Sequence, residues 1–252
     1  MDAMERFAAS AGLAALRFSL VLALPGLSPL AWAPMSIRVV LLVALALTAA
    51  FLAPIPEQAI ASMDWVRAIG QEIVIGLTLA LAVLLPMAAV SFFGKVVDMQ
   101  AGFGAAAILN PAASTEGEAL IGVVLGLLLT VLFFAMDLHH DLLRVLLLSL
   151  ELLPLGQALA DPTPSALAQA FGQVFALALL LVAPVLLGLL GIDLAVAYAT
   201  RSMPQANVYF LSLPLKIAAG LLLLAMSLQA APVLVERLFR TALSGSAAVL
   251  GV

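Results

Sequence analysis

The chain has 252 residues, 65% of them hydrophobic and 10% charged, against roughly 45–50% and about 25% in an ordinary soluble domain. It cannot cover itself with polar surface in water, so it belongs in lipid, in a larger assembly, or in both. A net charge of −4 leaves no basic face for nucleic acid, the lack of cysteine excludes disulfides and thiolate chemistry, and two histidines, His139 and His140, exclude a histidine-rich metal site.

The first apolar run covers about 7–24 and ends at Pro25-Gly26. Ala31, Trp32 and Ala33 imitate a signal-peptide cleavage site, but Asp2 and Glu5 spoil the basic leader, Arg17 interrupts the run and Pro34 follows the cut. A retained hydrophobic helix is therefore expected. The second run, about 37–53, is near the lower limit for a span and ends at Pro54 and Pro56. The third, about 69–93, carries Glu72 in its first turn, where the helix dipole favours a carboxylate, and Pro86 inside.

Residues 92–117 are neither a clean span nor an ordinary loop. Lys95, Asp98 and Gln100 come first, with Lys95 and Asp98 at the spacing of a local ion pair. Then come Gly102, Gly104, Ala105 and Ala106, small enough to let another backbone approach. Asn110-Pro111 marks a turn, and Ser114 follows. Two opposite charges and an amide at membrane depth need a partner or a wet cavity, so a bend at a pore or a subunit interface is expected.

The fourth run, about 119–153, continues through Asp137 and stops at Pro154-Leu155-Gly156. On a helix Asp137 and Asp141 share a face, with His140 three residues after Asp137. The simplest reading is a polar helix end at the membrane surface, with Arg144 neutralising a carboxylate. The fifth run, about 167–200, contains Pro184 and Asp193, a buried-depth carboxylate that needs a partner. Arg201 follows, then Pro204, Gln205 and Asn207, whose amides can bond backbone exposed where a helix breaks. Pro214 suits the first turn of the sixth run, about 215–235. Arg17 and Lys216 are expected to snorkel. With six spans, Arg6, Arg67, Arg144, Arg237 and Arg240 fall on one side and Arg38, Lys95, Arg201 and Lys216 on the other, so orientation is undecided.

The expected fold is all-α: one membrane domain of about six apolar helices. No nucleotide loop, GxSxG elbow or HExxH is present, so no catalytic, cofactor-binding or metal site is expected. Two other classes compete. A small-solute or ion transporter would use the Pro-interrupted runs near the midplane, and an intramembrane metalloenzyme would be built on His139 and His140.

Several motifs, in order, resemble the family of the flagellar biosynthetic protein FliR and the T component of injectisome export gates. They are Glu72 to Gly76, Gly94 to Gln100-x-Gly102, Asn110-Pro111-Ala112, Asp137-Leu138-His139, Leu153 to Gly156, and Arg201-x-x-Pro204-Gln205-x-Asn207 followed by Leu213 to Lys216. Asn110 stands where the family commonly has Asp, and Leu138 where it has Gly. The resemblance implies kinked helical hairpins within a larger helical assembly, with one copy of this chain beside FliP-like and FliQ-like subunits. It further implies FlhB-like and FlhA-like export components, unfolded exported proteins as cargo, and the bacterial inner membrane at the flagellar basal body. It places a plug at the pore axis, corresponding to 105–118. Gly102, Gly104, Ala105, Ala106, Asn110, Pro111 and Ser114 are the pore candidates. Glu72, Lys95, Asp98, Gln100, Asp193, Arg201, Pro204, Gln205, Asn207 and Lys216 are the interface or charge-pair candidates. Export would draw on the proton-motive force and a separate ATPase, so no cofactor is implied.

Overall fold

The computed structural model describes residues 3–23, 29–55, 63–103, 120–156, 164–202 and 208–250. Every element among them is helical: α1 (Ala3–Ala23), a 3₁₀ turn (Pro29–Trp32), α2 (Met35–Leu52), α3 (Trp65–Ala101), α4 (Leu120–Ala135), α5 (Leu138–Leu152), α6 (Pro164–Ser202), α7 (Val208–Ser227) and α8 (Ala231–Val249). Three helices, α2, α3 and most of α6, are long and apolar enough to cross a membrane. Two bent pairs, α4 with α5 and α7 with α8, raise the number to five if each pair is one span.

The helices form because apolar runs in a medium without water must satisfy each backbone group internally. Hydroxyls inside the spans do the same: Thr78, Thr130 and Ser149 each bond a carbonyl one turn back, on Val74, Gly126 and Leu146. Helix α3 starts at Asp64, whose carboxylate accepts from the Val66 and Arg67 N–H groups. It stops at Gly102, which takes φ +86°. There the Phe103 N–H reaches the Asp98 carbonyl and the Gly102 N–H reaches that of Met99, the paired bonds of a left-handed helix terminus.

Four expectations about the elements are corrected. Helix α3 runs on through Lys95, Asp98 and Gln100 to Ala101, so the first half of the expected bend is helix. The run at 119–153 is two helices, broken where Asp137 takes a left-handed conformation with φ 58°. The run at 215–235 is also divided, by the turn at 228–230, and helix continues to Val249. Pro214 lies well inside α7 instead of opening it.

The chain forms two compact units. The first comprises Met1–Met87, Phe133–Gln173 and Phe239–Val252; the second comprises Ala88–Leu132 and Val174–Leu238. The core of the first includes Phe18 and Leu22 of α1, Ile75 and Leu79 of α3, and a stripe at every fourth residue of α5: Leu138, Leu142, Leu146 and Leu150. Phe133 packs on Phe239 with ring centroids 5.1 Å apart. The second unit buries the same kind of stripe on α4, Ile121, Leu125 and Leu129, together with Val174, Ala178, Val182, Val185 and Leu189 of α6.

Candidate functional site

In the first unit, Arg17 and Glu72 are each the lone charge of an apolar run, 7–24 and 69–93, and the fold brings them together. Arg17 is fully buried and Glu72 is 1% exposed. The guanidinium forks onto the carboxylate, Nε to Oε2 at 2.6 Å and Nη2 to Oε1 at 3.0 Å. Its Nη1 donates to the Ser149 carbonyl at 2.7 Å. Glu72 Oε1 also accepts the Gly156 N–H at 3.0 Å. One charge pair thus ties α1, α3, the end of α5 and the Leu153–Gly156 turn. Snorkelling of Arg17 is overturned: its partner lies inside, and a fork-to-fork pair satisfies both groups without water. The expected first-turn place of Glu72 is corrected too: α3 begins at Trp65, so Glu72 lies well inside the helix and its charge is met by Arg17 instead of the helix dipole.

This geometry explains two sequence motifs. Gly76, one turn beyond Glu72, faces the Arg17 backbone, and a Cβ there would collide with the Arg17 carbonyl oxygen. Gly156, at φ +73°, turns the chain so that its N–H can reach Glu72.

The second unit holds a different network. The Asp98 carboxylate, 5% exposed, accepts from the Ile121 N–H through Oδ1 and the Gly122 N–H through Oδ2, each at 3.0 Å. These are orphan donors at the start of α4, and a carboxylate at a helix N-terminus is favoured by the dipole. The expected Lys95–Asp98 pair is therefore corrected: Asp98 serves the backbone, and Lys95 is exposed with no partner among the described residues. Close approach allows it, since a Cβ on Gly94 would lie 2.5 Å from the Gly122 Cα. Asp193 finds its partners in Lys216, with which it forms an ion pair, and Gln100, whose Nε2 donates to Oδ2 at 2.7 Å. Lys216 is 13% exposed and turned inward, so its expected snorkelling is also overturned.

Of the remaining candidates, Gly102 ends α3 beside Leu213, and Arg201 is exposed in the last turn of α6. Gly104, Ala105, Ala106, Asn110, Pro111, Ser114, Pro204, Gln205 and Asn207 lie outside the described residues. The expected pairing of Arg144 with a carboxylate is present, 3.6 Å from Asp141, which also meets Arg240 at 3.8 Å. Residue reasoning missed Arg17, Ser149 and Gly122. Arg17 carried a signal: a lone cation in one apolar run and a lone anion in another invite pairing. Ser149 and Gly122 act through backbone position, which side-chain type does not announce.

The sequence model of the bacterial export proteins, family 1, matches residues 8–242. A flagellar biosynthetic protein FliR from Bacillus subtilis is 30% identical over 173 residues, 67% of this chain and 66% of its own. A protein of the same name from Caulobacter vibrioides is 33% identical over 163 residues, 64% of each chain. The Yop proteins translocation protein T of Yersinia pestis is 30% identical over 159 residues, 62% of this chain and 60% of its own. The matched stretches thus span about two thirds of these relatives, or slightly less.

Proposed function

Because this chain belongs to the bacterial export proteins, family 1, we propose that it is a structural membrane subunit of the flagellar type III protein export gate. It forms part of the wall of a conduit through which unfolded flagellar proteins leave the cell. The observation that carries this reading is a family match over residues 8–242 of an all-helical apolar chain. Passage of a chain requires lining and closure, not bond breaking, and the polar networks fit that role: each is committed to holding helices together.

In this reading one copy assembles with FliP-like and FliQ-like subunits in the bacterial inner membrane, at the basal body, and meets FlhB-like and FlhA-like components and unfolded cargo. Segment 105–118 acts as the plug. The support for it is local: Gly102 and Phe103 close α3 on one side, and Asp98 grips the first N–H groups of α4 on the other. Asp98 therefore holds both flanks of the intervening stretch. A second reading, the equivalent subunit of a virulence injectisome, is favoured by similarity to the Yop proteins translocation protein T and to the secretion system apparatus protein SsaT of Salmonella typhimurium.

Co-expression with FliP-like and FliQ-like chains and mass measurement of the intact complex test the proposal. One copy per unlike assembly is expected. Recovery as a stable monomer or symmetric homo-oligomer, with no association with those chains, overturns it.

A further inference from the structure

We propose that Asp137, His139 and His140 bind a divalent transition-metal ion, zinc(II) foremost, at the break that opens α5. One ligand atom from each of the three lies within 4.8 Å of the other two. An ion about 2.0–2.2 Å from each ligand leaves them at most roughly 4.4 Å apart. Small χ rotations of the exposed Asp137 and His140 side chains close that difference.

Three features of the cluster point the same way. Asp137 is the non-glycine residue with positive φ among the described residues, at 58°. An aspartate before a helix ordinarily accepts from the N–H groups of the first turn, yet this one makes no side-chain cap bond. Its Oδ1 lies instead 3.4 Å from His140 Nδ1. His139 Nδ1 is shielded from solvent and has no hydrogen-bond partner, although a buried polar atom ordinarily finds one. The two imidazoles stand beside each other, with centroids 4.1 Å apart.

The donor set selects the ion. Two imidazoles and one carboxylate suit zinc and its neighbours, whereas magnesium and calcium require oxygen ligands. Of the nearby cations, Arg144 and Arg240 both turn to Asp141. Three protein ligands leave a position for water or for a donor from another molecule. The ion would fix the left-handed break between α4 and α5.

The test uses the full chain in detergent, purified without a polyhistidine tag, and titrated with cobalt(II), whose visible absorption reports its ligands, with zinc(II) as competitor. One ion per chain is expected. His139→Gln and His140→Gln should each weaken binding at least ~10-fold, and Glu151→Gln, on the exposed side of α5, should leave it unchanged. X-ray absorption at the zinc edge of the unaltered chain should show two imidazole ligands, which keeps the test independent of variant folding. An all-oxygen shell, no cobalt spectrum at saturating ion, or equal affinity in the His139→Gln/His140→Gln double variant overturns the site.

Discussion

At the scale of single residues, the Arg17–Glu72 pair concentrates the most consequence in the fewest atoms. Removing one charge from a buried pair leaves the other without compensation, typically at a cost of about 3–5 kcal/mol. Arg17→Ala should therefore destabilise the first unit strongly, and Glu72→Ala similarly, since Gly156 also loses its acceptor. The combined Arg17→Met/Glu72→Leu replacement should recover much of that loss, because apolar residues of similar volume often substitute for a buried pair. Denaturant titration of the chain in detergent checks this; single variants as stable as the parent would mean the pair contributes little. The charges themselves were conspicuous in the sequence, but their pairing was not. The two residues lie 55 positions apart, and a lone arginine in an apolar run reads equally well as one that reaches the membrane surface.

Elements depend on where backbones touch, and glycine decides that in two distinct ways. Gly94 sits against Gly122 in the second unit, where a Cβ would meet backbone 2.5 Å away. Backbone cannot swing aside as a side chain can, so Gly94→Ala should separate α3 from α4 and cost about 1–3 kcal/mol. Gly126, one turn further along α4, has nothing within 4 Å of its would-be Cβ. Gly126→Ala should raise the stability of the isolated chain by roughly 0.5–1 kcal/mol, through helix propensity alone. Thermal unfolding of both variants provides the comparison, and a Gly126→Ala chain that is stable but no longer joins a complex would place that face against a partner. Apolar runs and their Pro-Gly endings made most helices legible beforehand. The break at Asp137 was not, because leucines occupy nearly every face of 119–153 and no proline or glycine marks the spot. Nor was the helical course of 94–101, since the groups that satisfy Asp98 and Gln100 come from α4 and α6.

Taken as a whole, the molecule exposes more large apolar residues than water would tolerate. Leu187, Leu194, Leu222 and Val131 are each more than 60% exposed, which suits lipid or neighbouring subunits. If those neighbours enclose a conduit, segment 105–118, whose two flanks Asp98 contacts, should govern its tightness. Excising 106–114 keeps Asp98, Gly102 and the start of α4, so the complex should still assemble while the gate conducts ions. Asp98→Ala should act more mildly and by another route. It orphans two N–H groups, about 1–3 kcal/mol for each if they stay dry, and so loosens the flank without removing the plug. Asp98→Asn, which keeps one acceptor oxygen, should fall between Ala and the parent. Conductance of assembled gates in planar bilayers, with complex yield measured alongside, ranks the four. Leak in the order deletion, Ala, Asn, parent ties closure to the grip on α4. A deletion complex that assembles in full yield and remains ion-tight would assign closure to another chain.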